Sequence, residues 1–485
     1  MKKVYIYALA YALTAVSCQD NEWGADSATP QAPEIEIPMG AADGELLIKF
    51  VPEMSDILDQ TLTRVGGVAT RSGIPSTDEV LNILGAYHFE RVFPVDPKTE
   101  KRTREAGMHL WYIVRFDKDA DLKEAVRQLR KLGEISKIQS NPTLQRAYDP
   151  KKKTLYLSAS DLQHVTRTSE GLTFNDPGLK HQWHYRNAGN YDFVKKDRAE
   201  AIAGADVNCG EAWELCKGDP SIIVAVLDEG VMWSHPDLIA NMWTNEAEEI
   251  GSTEDKDGNG YKGDRYGYNF VKNTGVISWT SADDTGHGTH VAGTIAAENG
   301  NSIGVSGIAG GDGNTGSGVK IMTCQLFDGQ YGATLAAEAK AIKYAADNGA
   351  VVLQCSWGYN SPDANEALGY VPGPKNEQDW ENQYPLEKEA LDYFIHNAGS
   401  PNGVIDGGLA IFASGNEYAP SSSFPAGYSK CISVSAIAAD YTPSSYTNYG
   451  AEITLCAPGG DGDYYGTPGV ADDEFAWEEI GRAHV

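Results

Sequence analysis

Four apolar runs, each separated from the next by polar or helical sequence, constrain the fold of this 485-residue chain most strongly. They are Ser221–Leu227, Val319–Leu326, Val351–Ser356 and Leu409–Ala413. The first is rich in β-branched residues and lies between a proline and a glycine. Continuous apolar runs of this length are typical of strands buried on both faces, as in parallel sheets.

Helical patterns separate these runs, at His287–Asn299 and Ala333–Asp347. Alternating strands and helices with right-handed crossovers predict an α/β fold with a doubly wound parallel sheet. In such a fold the ligand site lies beyond the carboxyl ends of the strands.

Residues 44–148 form a separate pattern ahead of this sheet. The predicted elements are strands at Gly44–Val51, Tyr87–Val95, His109–Phe116 and Ile135–Leu144, with helices from Glu53 and over Ala120–Leu132. A β-α-β-β-α-β order is that of a small ferredoxin-like α+β module. Residues 149–172, which include three successive lysines, are interpreted as a linker, and we expect proteolytic processing there.

The first 18 residues have the features of a targeting segment. Two lysines precede the apolar run Val4–Val16, which is shorter than the ~20 residues that span a bilayer. Small residues then lead to Cys18, in an order that resembles a bacterial lipobox. We therefore expect a signal peptide over 1–18, lipid attachment at Cys18 and a polar tether over 19–43; an ordinary secretory peptide is the alternative. The protein would be exported and anchored to the cell envelope, facing either the periplasm or the exterior.

The formal net charge of −29 limits the partners of the chain. Neutralising phosphates needs an excess of lysine and arginine, so a nucleic-acid partner is not expected. An anionic membrane surface would repel the protein, which leaves the lipid anchor as the only expected membrane contact. Four cysteines in apolar stretches are predicted to be buried: Cys324, Cys355, Cys431 and Cys456. Cys209 and Cys216 are close enough in sequence to pair, although their spacing fixes no connectivity.

Three motifs lie where a doubly wound sheet places its ligand site. They are Val224–Gly230, which contains Asp228; Asp284–Thr294, which contains His287; and Ile411–Glu417, which contains Asn416. In this order and spacing they resemble the subtilisin family of serine proteases. The resemblance implies hydrolysis of protein or peptide substrates by an Asp/His/Ser triad, without a required cofactor. It also implies that residues 44–148 are a prodomain that inhibits its own protease.

Each of these side chains suits its implied role. The Asp228 carboxylate, at the end of a strand, can accept the Nδ1 proton of a histidine and fix its tautomer. His287 opens a helix, whose dipole is expected to keep the imidazole neutral. The Asn416 amide resembles the oxyanion-hole donor of the family. Glu229 stands where the family prefers serine or threonine, and its effect on the histidine is left open. A metal site from His287 and His290 is the alternative interpretation of the second motif.

Two backbone segments match those that flank the substrate in the family. Their residues are Ser356, Trp357, Gly358, Ala413, Ser414 and Gly415. An exposed strand edge at the first segment would pair with an extended peptide. Trp357 is either a determinant of substrate preference or a core residue.

A weaker pattern lies between the first two motifs, where carboxylates alternate before a glycine. Its residues are Asp255, Asp257, Asn259 and Asp264. The pattern resembles the start of a calcium loop, although Tyr266 stands where an EF-hand has its bidentate glutamate. Structural calcium and a polar turn are the two interpretations.

The sequence departs from the family at the nucleophile. The family serine lies in a Gly-Thr-Ser-Met-Ala-x-Pro segment downstream of Ala-Pro-Gly. Here Ala457–Gly460 is present, but the nearest later match is Gly466-Thr467-Pro468, and no serine follows Ser445.

Two hypotheses explain the missing serine. One is an incomplete protease domain over 173–478, followed by a non-native tail over 479–485 that resembles translated sequencing-adapter DNA. The other is a catalytically dead, subtilisin-like peptide-binding protein. We favour the first, because a natural pseudoenzyme should still complete the layer of helices on its sheet. In either case we expect no serine-dependent turnover by the chain as given.

Overall fold

The computed structural model describes residues 41–65, 68–85, 87–116, 120–146, 172–189, 201–399 and 405–460. All of them belong to one compact unit, Pro38–Val485. The predicted signal peptide, Cys18, most of the tether, nearly all of the linker and the tail lie outside the described residues.

An antiparallel sheet forms the N-terminal module, residues 41–146. Its elements are β1 (Ala41–Phe50), α1 (Ser55–Val65), β2 (Val68–Ala69), α2 (Pro75–Leu81), β3 (Tyr87–Arg91), α3 (Glu100–Glu105), β4 (Trp111–Phe116), α4 (Leu122–Leu129) and β5 (Ile135–Pro142). The strand order is β2-β3-β4-β1-β5. This confirms the predicted ferredoxin-like arrangement, to which α2, α3 and the short β2 are additions. Asp121 caps α4, because its side chain accepts a hydrogen bond from the Glu124 amide at 3.0 Å.

A larger sheet forms the α/β part, residues 172–460. Its elements are α5 (Cys209–Leu215), β6 (Ile223–Glu229), β7 (Gly267–Asn269), α6 (His287–Ala296), β8 (Lys320–Asp328), β9 (Tyr331–Gly332), α7 (Leu335–Asp347), β10 (Val352–Cys355), α8 (Glu377–Gln383), α9 (Pro385–Asn397), β11 (Leu409–Ala413), β12 (Ile432–Ile437) and β13 (Leu455–Pro458). Short 3-10 helices lie at Pro52–Met54, Asn82–Leu84, Met108–Leu110, Leu179–His181, Ile239–Asn241 and Glu366–Leu368.

The order of the larger sheet is β13-β12-β11-β10-β6-β8-β7. All pairs along this path are parallel, and β9 adds to β8 in the antiparallel sense. The doubly wound parallel sheet is therefore confirmed. Every residue of β6 is buried, as its uninterrupted apolar run predicts. The predicted helix over His287–Asn299 is too long at its C-terminal end, because the backbone leaves the helical conformation at Ala297, where ψ is 136°.

The register of the central strands brings three carboxyl ends to one edge. Leu227 of β6 lies opposite Cys355 of β10, and Cys355 lies opposite Phe412 of β11. The strand order also reverses beside β6, which has β8 on one side and β10 on the other. Such a switch point is where doubly wound sheets bind ligands.

The cysteines depart in part from expectation. Cys209 and Cys216 are both free thiols, so the pair left open by their spacing does not form. Cys456 is exposed rather than buried, because it lies on β13, the edge strand of the described sheet. The other three thiols are buried as predicted: Cys324, Cys355 and Cys431. Within the described ranges, no helix is both long enough and apolar enough to cross a membrane.

Candidate active site

Asp228 and His287 form a hydrogen-bonded pair at the carboxyl edge of the sheet. Asp228 is the penultimate residue of β6, and His287 is the first residue of α6. The histidine Nδ1 lies 2.8 Å from Oδ1 and 2.9 Å from Oδ2 of the carboxylate. Because a carboxylate only accepts, Nδ1 carries the proton, and Nε2 is left for a reacting group.

Glu229 caps the helix that carries the histidine. Its carboxylate is 1% exposed and accepts hydrogen bonds from three successive amides. These are Thr285 N at 3.0 Å, Gly286 N at 3.0 Å and His287 N at 3.1 Å. Gly288 lets the helix approach, since a Cβ there would lie 2.2 Å from the Glu229 carbonyl oxygen. The residue that departs from the family pattern therefore fixes the backbone of the catalytic-base candidate.

The pKa of His287 lies above its ordinary value. Burial is the largest influence and lowers the pKa, but the charge and hydrogen bond of Asp228 and the charge of Glu229 together raise it. Arg146 acts in the lowering direction. The expectation that the helix dipole keeps the imidazole neutral by lowering its pKa is wrong for the net pKa. The Glu229 carboxylate binds the helix N-terminus and the Asp228 carboxylate binds the imidazole, and both favour the protonated form. The result is a more basic imidazole than free histidine.

Arg146, which sequence reasoning missed, reaches this site from the N-terminal module. Its Nη1 lies 3.0 Å from Glu229 Oε1, and its side chain is 9% exposed. Nη2 lies 3.5 Å from Asp284 Oδ1. The unusual Glu229 was the signal in the sequence, because a carboxylate buried beside the Asp228–His287 pair calls for a counter-charge.

Asn416 follows β11 in a partly buried loop at the same sheet edge. The loop is held by Asn448, which is fully buried. The Asn448 amide donates to the Ser414 carbonyl at 3.0 Å, and its oxygen accepts from Glu417 N at 3.0 Å. Asn448 was not predicted, and no motif in the sequence marks it.

The two predicted substrate-flanking segments, Ser356–Gly358 and Ala413–Gly415, end the neighbouring strands β10 and β11. Trp357 is 3% exposed and packs edge-on against Phe412 at 5.4 Å, in agreement with the core interpretation. A segment of the N-terminal module instead pairs beside Ala333, whose carbonyl accepts a hydrogen bond from Leu144 N at 2.8 Å. No sequence pattern predicted this contact at Ala333, which lies between β9 and α7.

An acidic cluster lies in the loop before β7. Carboxylate oxygens of Glu248, Asp257 and Asp264 all lie within 4.8 Å of one another. Burial raises the pKa of Asp264 to about 6, against hydrogen bonds from Asn259 and Tyr344. Asp255 is turned to the loop backbone, where it accepts from Gly258 N and Gly260 N at 2.8 Å each. Glu248 was missed, because it precedes the alternating pattern.

Oxygen ligands of this kind suit a hard cation such as calcium. The histidine alternative gains no support: among the residues that the structure describes, the groups close enough to share a metal include neither His287 nor His290. Burial, with the neighbouring His287, lowers the pKa of His290 to about 4.

A doubly wound parallel sheet with an Asp–His pair at its carboxyl edge is the arrangement of subtilisin-like α/β proteins. The model of the Subtilase family, Peptidase S8, matches residues 219–478, more than half of the chain. The chain belongs to the subtilase family.

Relatives of known name span a wide range of organisms. The chain is 33% identical over 257 residues to halolysin from Haloferax mediterranei, covering 53% of this chain and 38% of halolysin. It is 28% identical over 253 residues to thermitase from Thermoactinomyces vulgaris, covering 52% and 68%. The solved structure of an Aeromonas sobria serine protease with its chaperone is 24% identical, covers 60% and 44%, and has a TM-score of 0.43. The chain thus spans less than half the length of halolysin.

Proposed function

We propose that this chain is part of a serine endopeptidase that hydrolyses peptide bonds in proteins. The observation that carries the proposal is the Nδ1 contact of His287 with both oxygens of Asp228, at 2.8 and 2.9 Å. We further propose that the nucleophilic serine lies beyond this sequence, so that the chain as given does not turn over substrate.

The proposed mechanism follows from this geometry. With its Nδ1 proton held by Asp228, His287 would take the serine proton at Nε2 as the hydroxyl oxygen attacks the peptide carbonyl. Asp228 and Glu229 stabilise the imidazolium that forms, as the raised pKa of His287 indicates. The imidazolium would then pass its proton to the leaving amine as the C–N bond breaks and the acyl group stays on the serine. A water molecule that loses its proton to the same Nε2 would hydrolyse this ester, which releases the acid and restores the serine. The Asn416 amide would donate to the developing oxyanion. No cofactor takes part in these steps.

The N-terminal module is proposed to be the inhibitor of its own protease. Its β5 side chains cap two helices of the α/β part: Gln139 accepts from Leu386 N of α9, and Asn141 from Ala336 N of α7, both at 2.9 Å. The strand-like segment after β5 then continues along Ala333. A module docked in this way would block the approach of an extended substrate to the same edge.

Ion pairs add to this docking. Glu389 of α9 accepts from Lys49 Nζ and from Trp111 Nε1, each at 2.7 Å. Lys137 Nζ lies 3.2 Å from the other Glu389 oxygen. Three donors of the N-terminal module therefore share one carboxylate of the α/β part.

A structural calcium ion is proposed at Glu248, Asp257 and Asp264. These residues fit such an ion because carboxylate oxygens of all three lie within 4.8 Å of one another, and carboxylate oxygens are the ligands that calcium prefers. When bound, the ion would fix this loop.

Export and a lipid anchor at Cys18 complete the proposal. Export is supported by the names of relatives such as the extracellular protease of Xanthomonas campestris, which is 27% identical over 355 residues. The anchor rests on the lipobox-like order of residues before Cys18.

The test is hydrolysis of a fluorescent protein substrate by the complete gene product. We expect hydrolysis that falls by about 10⁴ or more in Asp228→Asn and His287→Ala. His396→Ala, a change of an exposed histidine on α9, is the matched control and should leave the rate unchanged. Tight peptide binding without hydrolysis would favour the catalytically dead alternative, and loss of hydrolysis in the control alone would contradict both assignments.

A further inference from the structure

The segment after β5 lies against the α/β part through an isolated antiparallel bridge and a main-chain hydrogen bond. Thr143 pairs with Thr334 in the antiparallel sense, and Leu144 N donates to the Ala333 carbonyl at 2.8 Å. Gly332 leaves room for this approach, because a Cβ there would lie 2.1 Å from the Leu144 carbonyl oxygen. The segment is therefore held extended by main-chain contacts, which is how strand addition binds a peptide of varied sequence.

Side chains of this segment alternate between the protein and solvent. Leu144 is buried and Gln145 is exposed, and the Arg146 side chain is again enclosed, with 9% exposed. This period of two is that of an extended strand. Leu144 and Arg146 consequently enter successive pockets on the same face.

Residues of the α/β part line the pocket around Arg146. The contacts are Nη1 to Glu229 Oε1 at 3.0 Å, Nη1 to the Asp283 carbonyl at 2.8 Å, Nη2 to the Gly329 carbonyl at 2.5 Å, Nη2 to Asp284 Oδ1 at 3.5 Å, and the guanidinium over the Phe327 ring at 5.7 Å. Several acceptors arranged around one plane suit the planar guanidinium of arginine, with its five N–H donors, better than the compact ammonium of lysine.

The pocket is acidic, enclosed and next to the catalytic pair. The Glu229 and Asp284 side chains are 1% and 2% exposed, and two enclosed carboxylates are costly without a cation. Glu229 also binds His287 N at 3.1 Å. From Thr143, beside the start of α7, to Arg146, the chain runs in the N-to-C direction toward this pair. A substrate bound in the same direction would have the residue in this pocket N-terminal to the reacting bond, which is its acyl side.

We propose that this pocket is a specificity site, which selects an arginine side chain within about three residues of the cleaved bond on its acyl side, at ~3.3 Å per extended residue. This inference rests on the proposed endopeptidase function. Arg146 occupies the pocket in the same way that a substrate arginine would. Glu229 and Asp284 are then positioned to recognise substrate charge, and Glu229 joins that recognition to the helix that carries His287.

The main experiment uses the complete gene product and peptides in which one arginine is moved through the four residues on the acyl side. At one position, kcat/KM should be at least about tenfold higher for arginine than for citrulline, its uncharged isostere, since hydrogen bonds to charged groups are the stronger class. Lysine should fall between them. Asp284→Asn should reduce the arginine preference. Asp283→Asn is the matched control, because Asp283 contacts the guanidinium through its main-chain carbonyl, which the substitution keeps, and should preserve the preference.

The outcomes separate this proposal from the proposed function. Hydrolysis of arginine and citrulline peptides at equal rates at every position overturns the specificity site and leaves the endopeptidase in place. If none of the peptides is hydrolysed, the proposed function is overturned. Binding at the arginine pocket is then tested separately on the 485-residue chain. There, millimolar ethylguanidinium should raise the Tm of Arg146→Ala, but not of Arg146→Ala/Asp284→Asn, and ethylammonium should raise neither. No rise in Arg146→Ala overturns the pocket.

Discussion

Replacing Glu229 with glutamine tests the link between the helix cap and the Asp228–His287 pair. The carboxylate uses one oxygen for Arg146, at 3.0 Å, and the other for the amides of Gly286 and His287, at 3.0 and 3.1 Å. Glutamine has nearly the same shape but offers one acceptor and one donor. The NH₂ group of glutamine must therefore face either the Arg146 guanidinium or the backbone amides, which are themselves donors. Water cannot relieve this mismatch easily, because the Glu229 side chain is 1% exposed.

The expected cost is that of breaking an enclosed ion pair. Removing one partner of such a pair typically destabilises a protein by about 3–5 kcal/mol. This is a large part of the roughly 5–15 kcal/mol by which a domain is stable. In addition, the pKa of His287 should fall in Glu229→Gln, because the Glu229 charge is one of the influences that raise it. In Arg146→Met the pKa should rise, because the arginine charge acts in the opposite direction.

Two measurements on the chain as given check this reasoning. Urea unfolding should show a lower free energy of unfolding for Glu229→Gln, while Glu366→Gln, a change of an exposed carboxylate, should leave it unchanged. An NMR titration of His287, assigned with His287→Gln, should show the two opposite pKa changes. A loss of stability below about 1 kcal/mol, or a pKa that moves in the same direction in both variants, would refute the reasoning.

Four further outcomes are expected. Calcium at 100 times the Kd that it has at pH 7.5 should stabilise the chain by about 2.7 kcal/mol at that pH. The same concentration should stabilise it less at pH 5, where Asp264, with a pKa of about 6, is protonated, and should not stabilise Asp264→Asn. Differential scanning calorimetry checks all three values. The pKa of His287 in the folded chain is raised above the unfolded value of ~6.5, so protonation of His287 should stabilise the fold fully below that pH and cease to do so as pH rises through the folded pKa. The difference in unfolding free energy between wild type and His287→Gln measures this contribution. A difference that grows with pH would contradict the predicted direction. Glu389→Gln should loosen the N-terminal module by about 2 kcal/mol and speed its removal by limited proteolysis, unlike the exposed-site control Glu366→Gln. In the complete gene product, Asn416→Ala should lower kcat by about 10²–10³, a range measured within this family, and an unchanged kcat would exclude the oxyanion role.

The sheet and the histidine helix were predictable because their signals are local. An uninterrupted apolar run such as Ser221–Leu227 needs burial on both faces, and that requirement places Asp228 at a strand end. The motif around His287 predicted the start of α6 correctly. The end of α6 was less predictable, because Ala297 leaves the helix without a proline or glycine to mark the change.

The remaining parts of the site depend on contacts between distant segments. Arg146 belongs to the N-terminal module, and nothing in its neighbouring residues shows that it meets Glu229. Asn448 organises the Asn416 loop from beyond β12. Glu248 joins Asp257 and Asp264 only because the chain folds back before β7. Pairings of this kind follow from tertiary packing, which no local pattern encodes.

The central claim is that Asp228 and His287 serve a serine nucleophile in a complete subtilase. The most direct measurement is mass spectrometry after incubation with a fluorophosphonate probe, which labels activated serines. The complete gene product should be labelled stoichiometrically on one serine C-terminal to residue 460, and the labelling should be lost in His287→Ala; the chain as given should remain unlabelled. Absence of labelling in the complete product, or labelling of the chain as given, would contradict the claim.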